Sequence, residues 1–359
     1  MGQIDLTRLK QCMCRAEKGE RLTIGFFGGS ITQGCMATEQ EKAYSYRVFQ
    51  WWKDAFPQAE FSYVNGGIGG TTSHFGVSRI WQDLLMYQPD VVVVDFSVND
   101  KEGHEVFFQE TFEGVIRKLL CCQSKPAVLI LNNVYYDSGT NVQECHNEVG
   151  DWYHIPHVSM KDTLYRRMRK GVYQEELTED GLHPNDKGHE LVAGEIISFL
   201  SEVKAGMHER EKESRFPEPM TANAYEHARR ITVREVLPKL SGFHIDTEEK
   251  TGHLDIFKNG WIGSRPDDRI SFEVEASCIG VQFRQTIARP ALRARLILDG
   301  DEGRARILDG NFEADWGDSA QLIPILHHGE RKKHRIEIEI LDDHMEDAAP
   351  FYLMSLILA

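Results

Sequence analysis

Two hydrophobic rhythms divide this chain. Up to about residue 205, short and nearly unbroken apolar runs at 22–27, 61–64, 91–95 and 127–131 alternate with stretches of helical period. Runs without polar alternation suit strands covered on both faces, as in the parallel sheets of α/β proteins. The stretches between and after them predict helices over 43–56, 73–87, 105–120 and 161–169. A last helix is predicted over 184–205, opened by Pro184 and carrying Leu191, Ile196, Ile197 and Leu200 on its apolar side. Such alternation implies a doubly wound α/β sandwich.

Beyond residue 226 the period becomes two. Ile270, Phe272 and Val274 alternate with Ser271, Glu273 and Glu275, and Ile336, Ile338 and Ile340 with Arg335, Glu337 and Glu339. Asp299-Gly300 and Asp309-Gly310 are hairpin-type turn pairs. With no helical period of useful length, this part is expected to be an all-β sandwich, jelly-roll-like in form. Residues 209–226 are polar and broken by Pro217 and Pro219, so they read as a linker between domains 1–208 and 227–359.

The length of 359 residues accommodates two such domains. Acidic residues outnumber basic ones 56 to 41, a net charge of −15, which argues against nucleic acid or anionic lipid as partners held by bulk charge. The longest aliphatic run, 91–94, is far shorter than the ~18 residues of a membrane span. Residues 1–21 are charged and hold no apolar stretch like a signal peptide, and Leu6 stands where a myristoylation signal needs Ser or Thr. Seven cysteines, an odd count, read as free thiols, so a cytoplasmic location is expected.

Four short motifs carry candidate chemistry. Gly28-Gly29-Ser30-Ile31-Thr32-Gln33-Gly34 follows the first strand, where a serine at a glycine-rich turn can be an exposed nucleophile at a helix N-terminus. A phosphate loop would need a Lys that the motif lacks; a purely structural turn remains its rival. Asn65-Gly66-Gly67-Ile68-Gly69-Gly70-Thr71 follows the second strand and could turn backbone N–H groups toward a ligand. It falls short of a dinucleotide fingerprint, because Asn65 replaces the first glycine. In Ser97-Val98-Asn99-Asp100, Asn99 either directs its amide into the crevice at the strand ends or caps a loop. In Asp180-Gly181-Leu182-His183-Pro184, His183 is placed as general base and Asp180 can reach its second ring nitrogen.

Together and in this order, the motifs resemble the SGNH hydrolase superfamily, the GDSL-type esterases and acylhydrolases, over residues 20–205. The resemblance implies a flavodoxin-like α/β/α sandwich with a five-stranded parallel sheet. It implies Ser30 as nucleophile, His183 as base and Asp180 as its orienting acid, with the oxyanion held by the N–H groups of Ser30 and Gly67 and the amide of Asn99. Two positions depart from the family pattern: Gly29 stands where the family name has Asp, and Ser97 where a Gly is usual.

A serine mechanism requires no metal or organic cofactor, and no histidine cluster has the spacing of a known metal site. His74 could face the pocket, and Trp261 or Trp316 could stack on a sugar ring, although packing accounts for each as well. His189 lies on another helix face from His183. The reading is a serine esterase removing small acyl groups, acetyl above all, from a carbohydrate. That substrate rests on analogy with two-domain relatives. A lipid acylhydrolase or thioesterase is the alternative within the fold, and an inactive carbohydrate-binding protein the alternative outside it. A nucleotide-binding regulator lacks both the Lys and the full glycine fingerprint. Oligomeric state stays open.

Overall fold

The computed structural model describes residues 4–171, 177–209, 214–341 and 347–359. The chain divides into two compact units, Met1–Glu226 and His227–Ala359.

In the first unit, five strands form one sheet: β1 (Arg21–Gly28), β2 (Glu60–Asn65), β3 (Val91–Asp95), β4 (Ala127–Asn132) and β5 (His157–Ser159). Their order is β2-β1-β3-β4-β5 and every pairing is parallel, the flavodoxin-like arrangement. The helices are α1 (Thr7–Glu17), α2 (Ser30–Gln33), α3 (Tyr44–Ala55) and α4 (Ser73–Asp83). After them come α5 (Glu105–Cys121), α6 (Gln143–Trp152), the short α7 (Arg166–Met168) and α8 (Asp186–Ala205). Alternate strand residues explain the layering. Ile24 and Phe26 of β1, Val91 and Val93 of β3 and Leu129 and Leu131 of β4 join one core with Met13 of α1, Trp52 of α3 and Ile196 of α8. The opposite face of the sheet meets α4 and α6.

The predicted helices differ from the structure mainly at their ends. The stretch 73–87 is α4 followed by a single 3₁₀ turn, Leu85–Tyr87, and 161–169 opens with a π turn, Lys161–Tyr165. Pro184 precedes the last helix rather than opening it: the N-cap is Asn185, whose side chain accepts from the N–H groups of Lys187 and Gly188.

The stretch read as a linker is tied to the first unit where it is described; residues 210–213 lie outside the described residues. Ser214 N–H donates to Asp5, and Met220 and Thr221 N–H donate to Glu113 of α5 at 2.6 and 2.9 Å. Ala224 N–H donates to Glu110 at 2.8 Å, and Arg117 binds Glu226 at 2.7 Å.

The second unit is a sandwich of two antiparallel sheets. One has the order β13 (Arg306–Asp309), β12 (Arg293–Leu298), β15 (Lys332–Ile340), β10 (Arg269–Ala276), β7 (Lys239–Ser241). The other runs β14 (Ser319–Leu326), β11 (Ile279–Gln285), β16 (Phe351–Leu358), β9 (Trp261–Gly263), β8 (His244–Ile245), with β6 (Arg229–Ile231) also on β16. The alternating residues Ile270, Phe272, Val274, Ile336, Ile338 and Ile340 enter one core with Val281, Phe283, Leu353 and Leu356 of the second sheet.

Candidate active site

The motifs meet at the carboxyl ends of the parallel strands, where open α/β sheets place ligands. β1 ends at Gly28, and the chain turns at Gly29 into α2, putting the buried Ser30 on its first residue. His183 enters on the loop before α8. Its Nε2 lies 2.8 Å from Ser30 Oγ, and its Nδ1 lies 2.6 Å from Asp180 Oδ2. The second carboxylate oxygen of Asp180 accepts from the N–H groups of Leu182 and His183, at 2.9 and 2.7 Å, and from Thr178 Oγ1 at 3.1 Å.

These contacts decide the protonation pattern. Burial alone would raise the Asp180 carboxyl, but the bond from His183 and the two backbone donors outweigh it and hold the group at about 2. An ionised carboxylate only accepts, so His183 Nδ1 carries the proton and Nε2 presents its lone pair to the Ser30 hydroxyl. This arrangement can take a proton from Ser30 as its oxygen attacks an electrophilic carbon.

The expected anion donors are placed unequally. The Asn99 amide lies against Gly29, where any Cβ would overlap it. A side chain at 29 would therefore require Asn99 to shift. Gly67 departs from expectation: its N–H donates to Asn65 Oδ1 at 2.8 Å, and the residue packs on the backbone of Thr32 and Gln33. Gly69 is the glycine beside the nucleophile, with a Cβ built on it only 3.5 Å from Ser30 Cβ. Its N–H donates to Gln33 Oε1 at 2.7 Å. The next residue, Gly70, is exposed at φ +66°, and its N–H has no hydrogen-bond partner among the described residues. The sequence signal was present in the Gly69-Gly70 pair, but which amide stays free depends on where Asn65 and Gln33 point.

Two proposed sugar contacts are corrected by burial. His74 is buried between the rings of Phe107 and Tyr225, at centroid distances of 5.1 and 5.4 Å, because the helix face that carries it packs inward. Trp261 is 0% exposed and packs edge-on against Phe272 in the core of the second unit. Trp316, by contrast, is 66% exposed, with Phe312 edge-on at 5.0 Å. His189 serves packing: it is buried, its Nδ1 accepts the Tyr44 N–H, and burial lowers it to about 4, so it is neutral.

Sequence reasoning missed Arg79 of α4, which is 2% exposed and donates to the carbonyls of Gly66 and Gly28 and to Asp83. It also missed Asp100, which follows Asn99 and binds the Ser73 N–H at the start of α4 and the buried ring of His146 at 3.0 Å. No helix among the described residues is long and apolar enough to cross a membrane.

The model of the GDSL-like lipase/acylhydrolase family matches residues 26–191. No curated protein matches the chain. Among solved structures, a two-domain esterase active on acetylated mannans, crystallised with mannopentaose, is 45% identical over 99% of this chain and 95% of its own, with a TM-score of 0.94. A second structure of a two-domain esterase active on acetylated mannans gives 44% identity over 99% and 96% of the two chains, with a TM-score of 0.95. With four ordered motifs, a five-stranded parallel sheet and similarity running through both units, this chain belongs to the GDSL-like lipase/acylhydrolase family.

Proposed function

We propose that the chain is a serine esterase that removes acetyl groups from an acetylated mannan-type carbohydrate, with Ser30, His183 and Asp180 as its catalytic residues. The observation that carries this reading is the unbroken relay from Ser30 Oγ through His183 to Asp180, at 2.8 and 2.6 Å. Ser30 Oγ attacks the acetyl carbonyl carbon while His183 Nε2 takes the hydroxyl proton. The tetrahedral oxyanion is held by the Ser30 N–H, the Asn99 amide and the Gly70 N–H, the last replacing Gly67, whose donor is spent on Asn65. Collapse breaks the bond to the sugar oxygen, which leaves with the proton from His183. Water then gives its proton to His183 and attacks the acetyl-serine, and acetate departs as Ser30 regains its hydrogen.

The acetyl and mannan parts are supported by the two-domain esterases that match the chain nearly end to end. Residues 1–226 are assigned the chemistry, and 227–359 a carbohydrate-binding role in which the exposed ring of Trp316 stacks on a sugar. Seven free cysteines, one of them exposed, support a reducing compartment, the cytoplasm. The acidic charge supports a neutral substrate rather than nucleic acid or an anionic membrane.

The test is acetate release from acetylated manno-oligosaccharides, with acetylated xylo-oligosaccharides and eight-carbon esters as comparisons. The expected result is preference for the mannan series and complete loss in Ser30→Ala. Activity surviving in Ser30→Ala removes the mechanism, and preference for the long chains moves the substrate to lipids.

A further inference from the structure

The donors assigned to the oxyanion come from chain segments far apart in sequence. The turn 28–30 follows β1, and the glycine loop 66–70 follows β2. Donors of this kind act only when fixed within about 0.5 Å, which glycine-rich backbone does not achieve unaided. One main-chain bond joins the segments, from Ile68 N–H to Gly28 O at 3.1 Å. We infer that Arg79 and Gln33 are positioning residues that hold the glycine loop 66–70 against the nucleophile turn 28–30. The inference rests on the assignment of Ser30 as nucleophile.

Arg79 takes both segments in one rigid fork. Nη1 donates to Gly66 O at 2.6 Å and Nη2 to Gly28 O at 3.0 Å, so the planar guanidinium sets the spacing of the two carbonyls. Asp83, one turn along α4, pairs with Nη1 at 2.9 Å, and the Phe27 ring lies 4.5 Å from Cζ. A charge this deeply buried is expensive unless paired, and Asp83 pairs it. The two terminal nitrogens of Arg79 reach the backbone on either side of the site, while Nε has no partner among the described residues. A lysine keeps the charge but offers one nitrogen in place of the planar fork, so it does not hold the two carbonyls at two fixed points.

Gln33 acts at the other end of the loop. It is the last residue of α2, the helix that Ser30 begins, and its Oε1 accepts the Gly69 N–H at 2.7 Å. That bond fixes the Ile68–Gly69 peptide, the one preceding the peptide that carries the Gly70 N–H. Arg79 therefore secures the start of the loop at Gly66, and Gln33 secures its end at Gly69.

The experiment uses the full chain and 4-nitrophenyl acetate, whose small alcohol needs no carbohydrate contact. kcat, KM and Tm are measured for Arg79→Lys, Gln33→Met, the double variant and Ser30→Ala. Gln33 is partly exposed, so Gln33→Met leaves the fold intact and decides the question alone if Arg79→Lys does not fold. Expected are a fall in kcat of about tenfold for Gln33→Met and ten- to hundredfold for Arg79→Lys, with KM within about twofold. In the double variant the combined loss is smaller than the product, because both residues restrain one loop. A kcat within about twofold of the parent for Gln33→Met at unchanged Tm overturns the inference, as does a rise in KM with kcat intact. Ser30→Ala separates the two readings: activity there removes the nucleophile assignment, whereas an inactive Ser30→Ala beside a fully active Gln33→Met removes only the positioning role.

Discussion

At position 180, three hydrogen-bond donors to one oxygen and the His183 ring to the other keep a half-exposed carboxylate charged. Its group is lowered from its ordinary 3.8 to about 2, so its contribution to stability is complete above about pH 4 and is lost as pH falls toward 2. Asp180→Asn should lack this acid-side loss when unfolding is followed from pH 5 to 2. The same substitution should lower kcat at neutral pH by about 10⁴, because an amide no longer requires the proton on Nδ1 and the ring can turn its N–H toward Ser30. Gly29 makes a steric prediction of the same kind. In Gly29→Ala the new methyl displaces the Asn99 amide it would overlap, and kcat should fall by about 10² with Tm nearly unchanged. An Asn99→Ala variant of similar activity, insensitive to a further Gly29→Ala change, would tie both effects to one donor. The reactive residues were legible in sequence because their identities are their chemistry. The fate of the Gly67 amide was not, because it depends on the orientation of a neighbouring side chain.

Among the elements, legibility followed the chemistry of the buried face. The strands β1, β3 and β4 stood out because both faces are apolar. β5, His157–Ser159, has three residues and no such run, and it is held by its place beside β4. α6 was invisible because residues it buries include Gln143 and His146, which satisfy hydrogen bonds instead of adding a hydrophobic stripe. α1 buries Leu9, Cys12, Met13 and Ala16 at helical spacing, but the charges between them masked the pattern. α5 carries a signal of a different kind. Glu110 and Glu113 lie buried on this largely apolar helix, and a buried carboxylate must have partners. Those partners are the N–H groups of 220, 221 and 224, which is why a polar, proline-broken stretch is bound rather than free. Glu113→Ala strands the N–H groups of Met220 and Thr221 together with the Tyr153 hydroxyl and should lower the unfolding free energy by about 1–3 kcal/mol in urea titration. Proteolysis should then cut first within 214–226; an unaltered digestion pattern would show that Glu113 is not what binds this stretch.

On the scale of the whole molecule, the boundary between the units has a consequence for where the chain can be divided. A sequence boundary at 208 follows the change in composition, whereas the compact units part after Glu226. Thirteen described residues separate these positions from the first bond at Ser214 onward, and they meet α5 through two carboxylates and the Arg117–Glu226 pair. Fragment 1–226 should therefore fold and hydrolyse 4-nitrophenyl acetate, since it holds Ser30, His183, Asp180 and every partner described for them. Fragment 1–208 removes the N–H donors of 220, 221 and 224 from Glu113 and Glu110, and should show a lower Tm or fail to express in soluble form. The comparison also tests the division of labour. If residues 227–359 supply sugar binding, 1–226 keeps kcat on the aryl ester but loses kcat/KM on acetylated manno-oligosaccharides, and Trp316→Ala in the full chain shows part of the same selective loss. Equal activity of 1–226 and the full chain on both substrates would leave the second unit without a part in substrate recognition, and a 1–208 fragment as stable as 1–226 would return the stretch after it to the role of a simple linker.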